Sequence, residues 1–180
     1  WQTVSMAKIY SDIGGREEAL AFLARAEELR PEGLSGWPLY VHLNLGQEVE
    51  ATAYATELLE RVPWHFSAVD WFNQIDIRED RVENALARAR NAWPASTASD
   101  VKVDERNVLL VAKYAELLQQ SGDTAQAEIF FNRCLRHLET RPTRTNFLGA
   151  THLRLRAWIL VQLGRHDEGL KLLKRLYEDY

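Results

Sequence analysis

Residues 19–31 read ALAFLARAEELRP, residues 51–63 read ATAYATELLERVP, and residues 82–94 read VENALARARNAWP. Ala19, Leu23, Ala26 and Pro31 fall at the same spacings as Ala51, Ala55, Leu58 and Pro63, and as Val82, Leu86, Ala89 and Pro94. Apolar residues four and three apart share one face of an α-helix, and a proline stops it. The recurrence predicts one helix of a stacked helix pair, used repeatedly.

The segments around these stretches complete the pattern. Thr3, Met6, Ala7 and Tyr10 form an apolar stripe that predicts a helix over Gln2 to Asp12, broken by Gly14-Gly15. Arg16 opens the next helix, with Glu17 and Glu18 in the first turn where the helix dipole favours acids. Pro38 suits a first turn, and that helix runs to Gly46. Ala68, Trp71, Phe72 and Ile75 give the next stripe, with Arg78-Glu79-Asp80-Arg81 as a turn lacking glycine.

The stretch 94–104, PASTASDVKVD, reads as a loop and as the best domain boundary. Beyond it, Val108, Val111, Tyr114, Ala115 and Leu118 form a stripe ended by Ser121-Gly122-Asp123. Ala127 to Leu138 follows, then a connector over Arg141 to Asn146. A helix over His152 to Leu163, broken at Gly164, and a last helix carrying Leu170, Leu172, Leu173 and Leu176 complete the chain. Taking Ala19, Ala51, Val82, Ala127 and Gly169 as equivalent gives separations of 32, 31, 45 and 42 residues.

These residues resemble the tetratricopeptide repeat family. Gly122-Asp123 with Ala127, Phe131 and Cys134 is the best single match to its turn glycine, small residue, aromatic and second small residue. The resemblance covers nearly the whole chain. It implies an all-α, right-handed α-α superhelix, a solenoid of about five helix pairs. Residues 1–94 would hold three pairs, 95–104 a connector, and 105–180 two longer pairs in one continuous array. At fold level the longer units also look like helical arrays attached to some bacterial transcriptional regulators, cyclases and kinases.

Composition narrows the function classes. With 46% hydrophobic and 27% charged residues the chain can bury a core. Its net charge of −4 gives no electrostatic case for nucleic acid. No run of apolar residues is long enough to span a membrane. A single cysteine, Cys134, forbids an internal disulfide, which fits a reducing compartment such as the cytoplasm and is compatible with the periplasm. Trp1 stands inside a periodic segment, so the chain reads as a piece of a longer protein.

No catalytic constellation is visible. H-E-x-x-H, C-x-x-C, G-x-S-x-G and the P-loop are missing, and none of His42, His65, His137, His152 and His166 lies four residues from another. Cys134 falls at a packing position. The second-helix carboxylates read as a solvated face, and the arginines between Arg133 and Arg175, interleaved with acids, as a mixed-charge surface. Of the six tryptophans, Trp71 lies on a core stripe, and the others sit near helix ends or off it.

In the family, the first helix of each pair lines a concave face. The resemblance therefore nominates Lys8 and Asp12, Tyr40 and Asn44, Asn73 and Asp76, then Glu116, Gln119 and Gln120, and finally Arg154, Trp158 and Gln162. Val4, Lys8, Gly36 and Tyr40 do not reproduce the family's clamp for a C-terminal carboxylate. The expectation is a non-catalytic module that binds a peptide or protein segment, without cofactor or metal. The alternative is a regulatory domain acting through self-association, as a homo-oligomer, or through a small ligand.

Overall fold

In a computed structural model, residues 2–29, 36–140 and 147–179 are described, and their regular structure is helical throughout. The helices are α1 (Gln2–Asp12), α2 (Arg16–Leu29), α3 (Trp37–Asn44), α4 (Glu48–Arg61), α5 (Phe66–Arg78), α6 (Val82–Ala92), α7 (Pro94–Thr97), α8 (Val108–Gln120), α9 (Thr124–Glu139), α10 (Phe147–Gln162) and α11 (His166–Asp179). They group into two compact units, Trp1–Ile75 and Asp76–Tyr180. The expected loops around Gly33 and over 141–146 lie outside the described residues.

One turn, made five times, organises the chain. At the end of α1 the Gly14 amide donates to the Ser11 carbonyl (3.4 Å) and the Gly15 amide to the Tyr10 carbonyl (2.8 Å). The same pair of bonds closes α3 (Gly46 to Leu43, Gln47 to His42), α5 (Asp80 to Ile77, Arg81 to Asp76), α8 (Gly122 to Gln119, Asp123 to Leu118) and α10 (Gly164 to Val161, Arg165 to Leu160). This is the Schellman arrangement, which satisfies the last carbonyls of a helix and needs a left-handed residue after it. Gly14, Gly46, Gly122 and Gly164 supply that residue at φ between 70° and 89°, and Asp80 supplies it at 57°.

The turns correct the repeat register. Each left-handed residue is followed five positions later by a small buried residue: Ala19, Ala51, Ala85, Ala127 and Gly169. The third equivalent is thus Ala85, fully buried, and not the half-buried Val82. The separations become 32, 34, 42 and 42 residues. Pro94 follows the C-cap of α6 as Pro63 follows that of α4, and it also opens α7, where its missing amide costs nothing. The expected loop over 94–104 therefore begins with a helical turn.

The rest of that loop is tied down. The Asp104 carboxylate accepts from the Arg106 and Asn107 amides, and Asn107 Oδ1 accepts from the Asp104 amide at 2.8 Å. Arg133 of α9 donates to the Ser99 carbonyl. Helix α10 also starts earlier than its periodicity suggests, at Phe147 rather than His152.

Small residues let the helices approach. In unit 1, Ala7, Ala19, Leu23 and Val41 form one buried cluster; Leu39, Ala51, Ala55, Leu58, Ala68 and Trp71 form another. In unit 2, Ala112, Ala115, Ala127, Cys134 and Ala157 are buried where α8, α9 and α10 pack. Trp93, one of the tryptophans expected near helix ends or off the stripe, is buried at the end of α6. Asp123 caps α9 by accepting from the Gln126 amide at 3.2 Å.

Candidate functional site

Two polar clusters form where consecutive first helices lie side by side. In unit 1, α1 packs against α3. Lys8 forms an ion pair with Asp12, one turn on along α1. Asn44 Nδ2, from α3, donates to Asp12 Oδ1 (2.6 Å) and to Ser11 Oγ (3.2 Å). Ser11 is buried and its hydroxyl donates to the Lys8 carbonyl at 2.7 Å, which orients the Oγ lone pairs toward Asn44. Three of the nominated residues, Lys8, Asp12 and Asn44, are thus brought together. Tyr40 stands one turn before Asn44, half exposed, with its ring edge-on to Trp37 at 6.4 Å. Asn73 is buried within α5.

In unit 2, α8 packs against α10. Lys113 Nζ lies 3.0 Å from Glu116 Oε2 and 5.6 Å from the centre of the Trp158 ring. That ring meets Phe131 of α9 edge-to-face at 5.9 Å, which fixes its plane. Gln119 Nε2 donates to the Gln162 carbonyl (3.2 Å), while its Oε1 is buried with no hydrogen-bond partner. Glu116, Gln119, Trp158 and Gln162 therefore share one patch. Gln120 and Arg154 are exposed. Lys113 was not nominated from sequence; its signal was the i,i+3 spacing to Glu116.

Asp76 behaves differently from the other nominated residues. It is 3% exposed. Its Oδ1 accepts from Arg81 Nε at 2.9 Å and its Oδ2 from Arg88 at 2.6 Å. The carboxylate faces inward, onto two guanidinium groups of the turn and α6.

Amide, carboxylate and ammonium groups on a rigid helical wall can pair with backbone groups of a ligand, and Trp158 offers an aromatic face. Among the described residues, no three His, Cys, Asp or Glu side chains gather to hold a metal ion. Burial pushes the Cys134 thiol up to about 12, and its Sγ lies 3.6 Å from the Val108 carbonyl. Such a thiol carries almost no thiolate at neutral pH. Among the described residues no helix is long and apolar enough to cross a membrane.

The chain matches no protein-family profile, and no curated protein matches it. Solved structures do. One, a kinesin-light-chain-type protein of Podosopora anserina with nearly identical TPR-like repeats, is 12% identical, with a TM-score of 0.53 over 99% of this chain and 93% of that one. A single-substitution form of it gives a TM-score of 0.54 at 12% identity, over 99% and 92% of the two chains. Small residues at helix crossings, five shared turns and this likeness agree: the chain has the tetratricopeptide-like helical-repeat fold.

Proposed function

We propose that the chain is a non-catalytic protein-interaction module that holds an extended or helical protein segment along its first helices. The observation that carries this reading is the Lys8–Asp12–Asn44 cluster, in which side chains of two consecutive first helices converge. The α8–α10 patch repeats the arrangement in unit 2 with an aromatic ring added. A ligand laid across either pair meets donors and acceptors at successive helix spacings, which suits a peptide backbone. Within a larger protein, regulatory or scaffolding, the module would supply the binding arm. The buried, protonated Cys134 argues against nucleophilic chemistry.

Selection of peptides from a displayed library against the folded chain tests this. Selected peptides should weaken at least tenfold against a variant combining Tyr40→Ala, Asn44→Ala and Lys8→Ala, or one combining Glu116→Ala, Gln120→Ala and Arg154→Ala. Peptides that bind all three proteins equally would place recognition elsewhere and overturn the reading.

A further inference from the structure

The α8–α10 patch contains an acceptor with nothing to accept. Gln119 Nε2 donates to the Gln162 carbonyl, and its Oε1 is buried without a hydrogen-bond partner among the described residues. Turning the amide over does not cure this, because the flipped side chain would set Oε1 against that same carbonyl. A buried acceptor left unpaired costs free energy, and folded chains keep few of them. What this position lacks is an N–H donor.

The same patch already holds a cation. Lys113 Nζ is 3.0 Å from Glu116 Oε2 and 5.6 Å from the centre of the Trp158 ring. The Lys113 and Glu116 side chains are only 23% and 20% exposed, so water screens their attraction in part. Phe131 meets the Trp158 ring edge-to-face and fixes its plane. A carboxylate beside a fixed indole is a surface that suits a cationic side chain. Gln119 stands one turn beyond Glu116 on α8, so the carboxylate and the unpaired acceptor lie on adjoining turns. The lysine answers the carboxylate and the ring, and leaves Gln119 unanswered. A guanidinium carries five N–H donors in a planar fork, enough for Glu116 and Gln119 together, and its plane stacks on an indole.

We infer that this patch is a seat for an arginine side chain of the bound segment, and that Lys113 fills the seat while the chain is free. The arginine displaces Lys113 into water, lies on Trp158 and donates to Glu116 Oε2 and Gln119 Oε1. Lys113 suits the part of a resident: its flexible stem swings aside without moving α8, and its ammonium is strongly hydrated once released. One cation replaces another, so Glu116 stays paired, and the net gain is the bond to Gln119. Arg154, one turn before Trp158, is exposed, where water and salt screen its charge from the seat. The inference rests on the α8–α10 patch being part of the binding surface, and it names the side chain that patch selects.

Titration with the peptide amide Gly-Gly-Arg-Gly-Gly tests it, read by the indole N–H resonance of Trp158, which is assigned by its loss in Trp158→Phe. The same peptide with citrulline in place of arginine keeps the shape and removes the charge. The arginine peptide should move the Trp158 signal and the citrulline peptide should not. Lys113→Met should bind the arginine peptide about tenfold more tightly than the native chain, the gain from removing a resident that fills the seat some nine-tenths of the time. Adding Glu116→Gln to Lys113→Met should abolish that gain. Unchanged circular dichroism would confirm folding, and Lys113→Leu replaces Lys113→Met if that variant fails. Equal binding of the arginine and citrulline peptides would overturn the inference, as would an affinity that Lys113→Met leaves unchanged or lowers. Library peptides that weaken against the combined Glu116, Gln120 and Arg154 variant, while the arginine peptide leaves Trp158 unmoved, would remove the arginine seat and leave the interaction module standing.

Discussion

Gly169 of α11 lies beneath the carbonyl of Ala157 in α10, so close that a Cβ at Gly169 would stand 2.9 Å from that oxygen and 3.0 Å from Val161 Cγ2. The glycine occupies the position that Ala19, Ala51, Ala85 and Ala127 hold in the other pairs. Its helix therefore crosses closer than an alanine allows. Gly169→Ala must push α11 outward, because the first atom met is backbone and cannot rotate away. The expected loss is about 1–3 kcal/mol, the range for overpacking a tight joint. Urea denaturation would show it as a lower midpoint; an unchanged midpoint would mean the helices have room to spare.

Asp80 makes the turn that four glycines make elsewhere. At φ 57° an L residue meets a steric cost of roughly 1–2 kcal/mol, which aspartate tolerates better than most. A β-branched residue has no such tolerance. Asp80→Val should lower stability by about 1–2 kcal/mol, while Asp80→Gly should stay within about 1 kcal/mol of the native chain, because relief of strain offsets the freer unfolded state. Thermal unfolding of the two variants should rank them in that order. The reverse order would remove the equivalence between Asp80 and the turn glycines.

That same residue explains where sequence reading stopped. Turns at Gly14, Gly46, Gly122 and Gly164 were legible because glycine announces a left-handed residue. Asp80 carries no such mark, and VENALARARNAWP mimics the repeat spacing with Pro94 in the stop position. The register therefore slid by three residues, onto Val82. Pro94 both follows the cap of α6 and opens α7, so its place after the helix carries no information on the register within it. The candidate site was legible to a similar depth. Lys8, Asp12 and Asn44 are polar residues beside a core stripe, and they do converge. Asn73 and Asp76 have the same character in sequence, yet they are buried. Nothing in composition separates a polar residue on an open face from one facing an arginine within the fold.

Asp76 is the member of that set whose loss should be felt in stability. Its side chain is 5% exposed and takes Arg81 and Arg88 on its two oxygens. Asp76→Ala would take a buried carboxylate away from Arg88, which is less than a third exposed. The expected cost is about 3 kcal/mol, the low end for a broken buried pair, because both guanidinium groups still reach water. Glu168→Ala, which breaks the exposed pair with Arg165, should change stability little. Equal effects of the two substitutions in chemical denaturation would show that burial at Asp76 confers no special weight.

Cys134 should behave as a reporter of unfolding. Its thiol is buried, pushed up to about 12 by desolvation, and directed at the Val108 carbonyl. Thiolate is the reacting species, so a thiol reagent at neutral pH should label the native chain only through opening. The labelling rate should rise with denaturant in step with loss of helical signal. Rapid labelling of the native chain would show that the joint between α8 and α9 opens by itself.

His65 should set a limit on the acid side. The imidazole lies near the start of α5, with Nδ1 buried and lacking a hydrogen-bond partner. Desolvation holds its pKa below the ordinary 6.5. The unfolded chain, with its imidazole in water, takes up a proton near 6.5, whereas the folded chain resists until lower pH. The unfolded state therefore binds more protons between those two values, and stability falls as pH drops through that window. Above 6.5 both states hold the neutral ring and this contribution is constant. His65→Gln keeps a polar side chain but cannot titrate. Denaturation midpoints measured from pH 8 down to pH 5 should fall less steeply for that variant than for the native chain. Parallel curves would assign the acid sensitivity to another group.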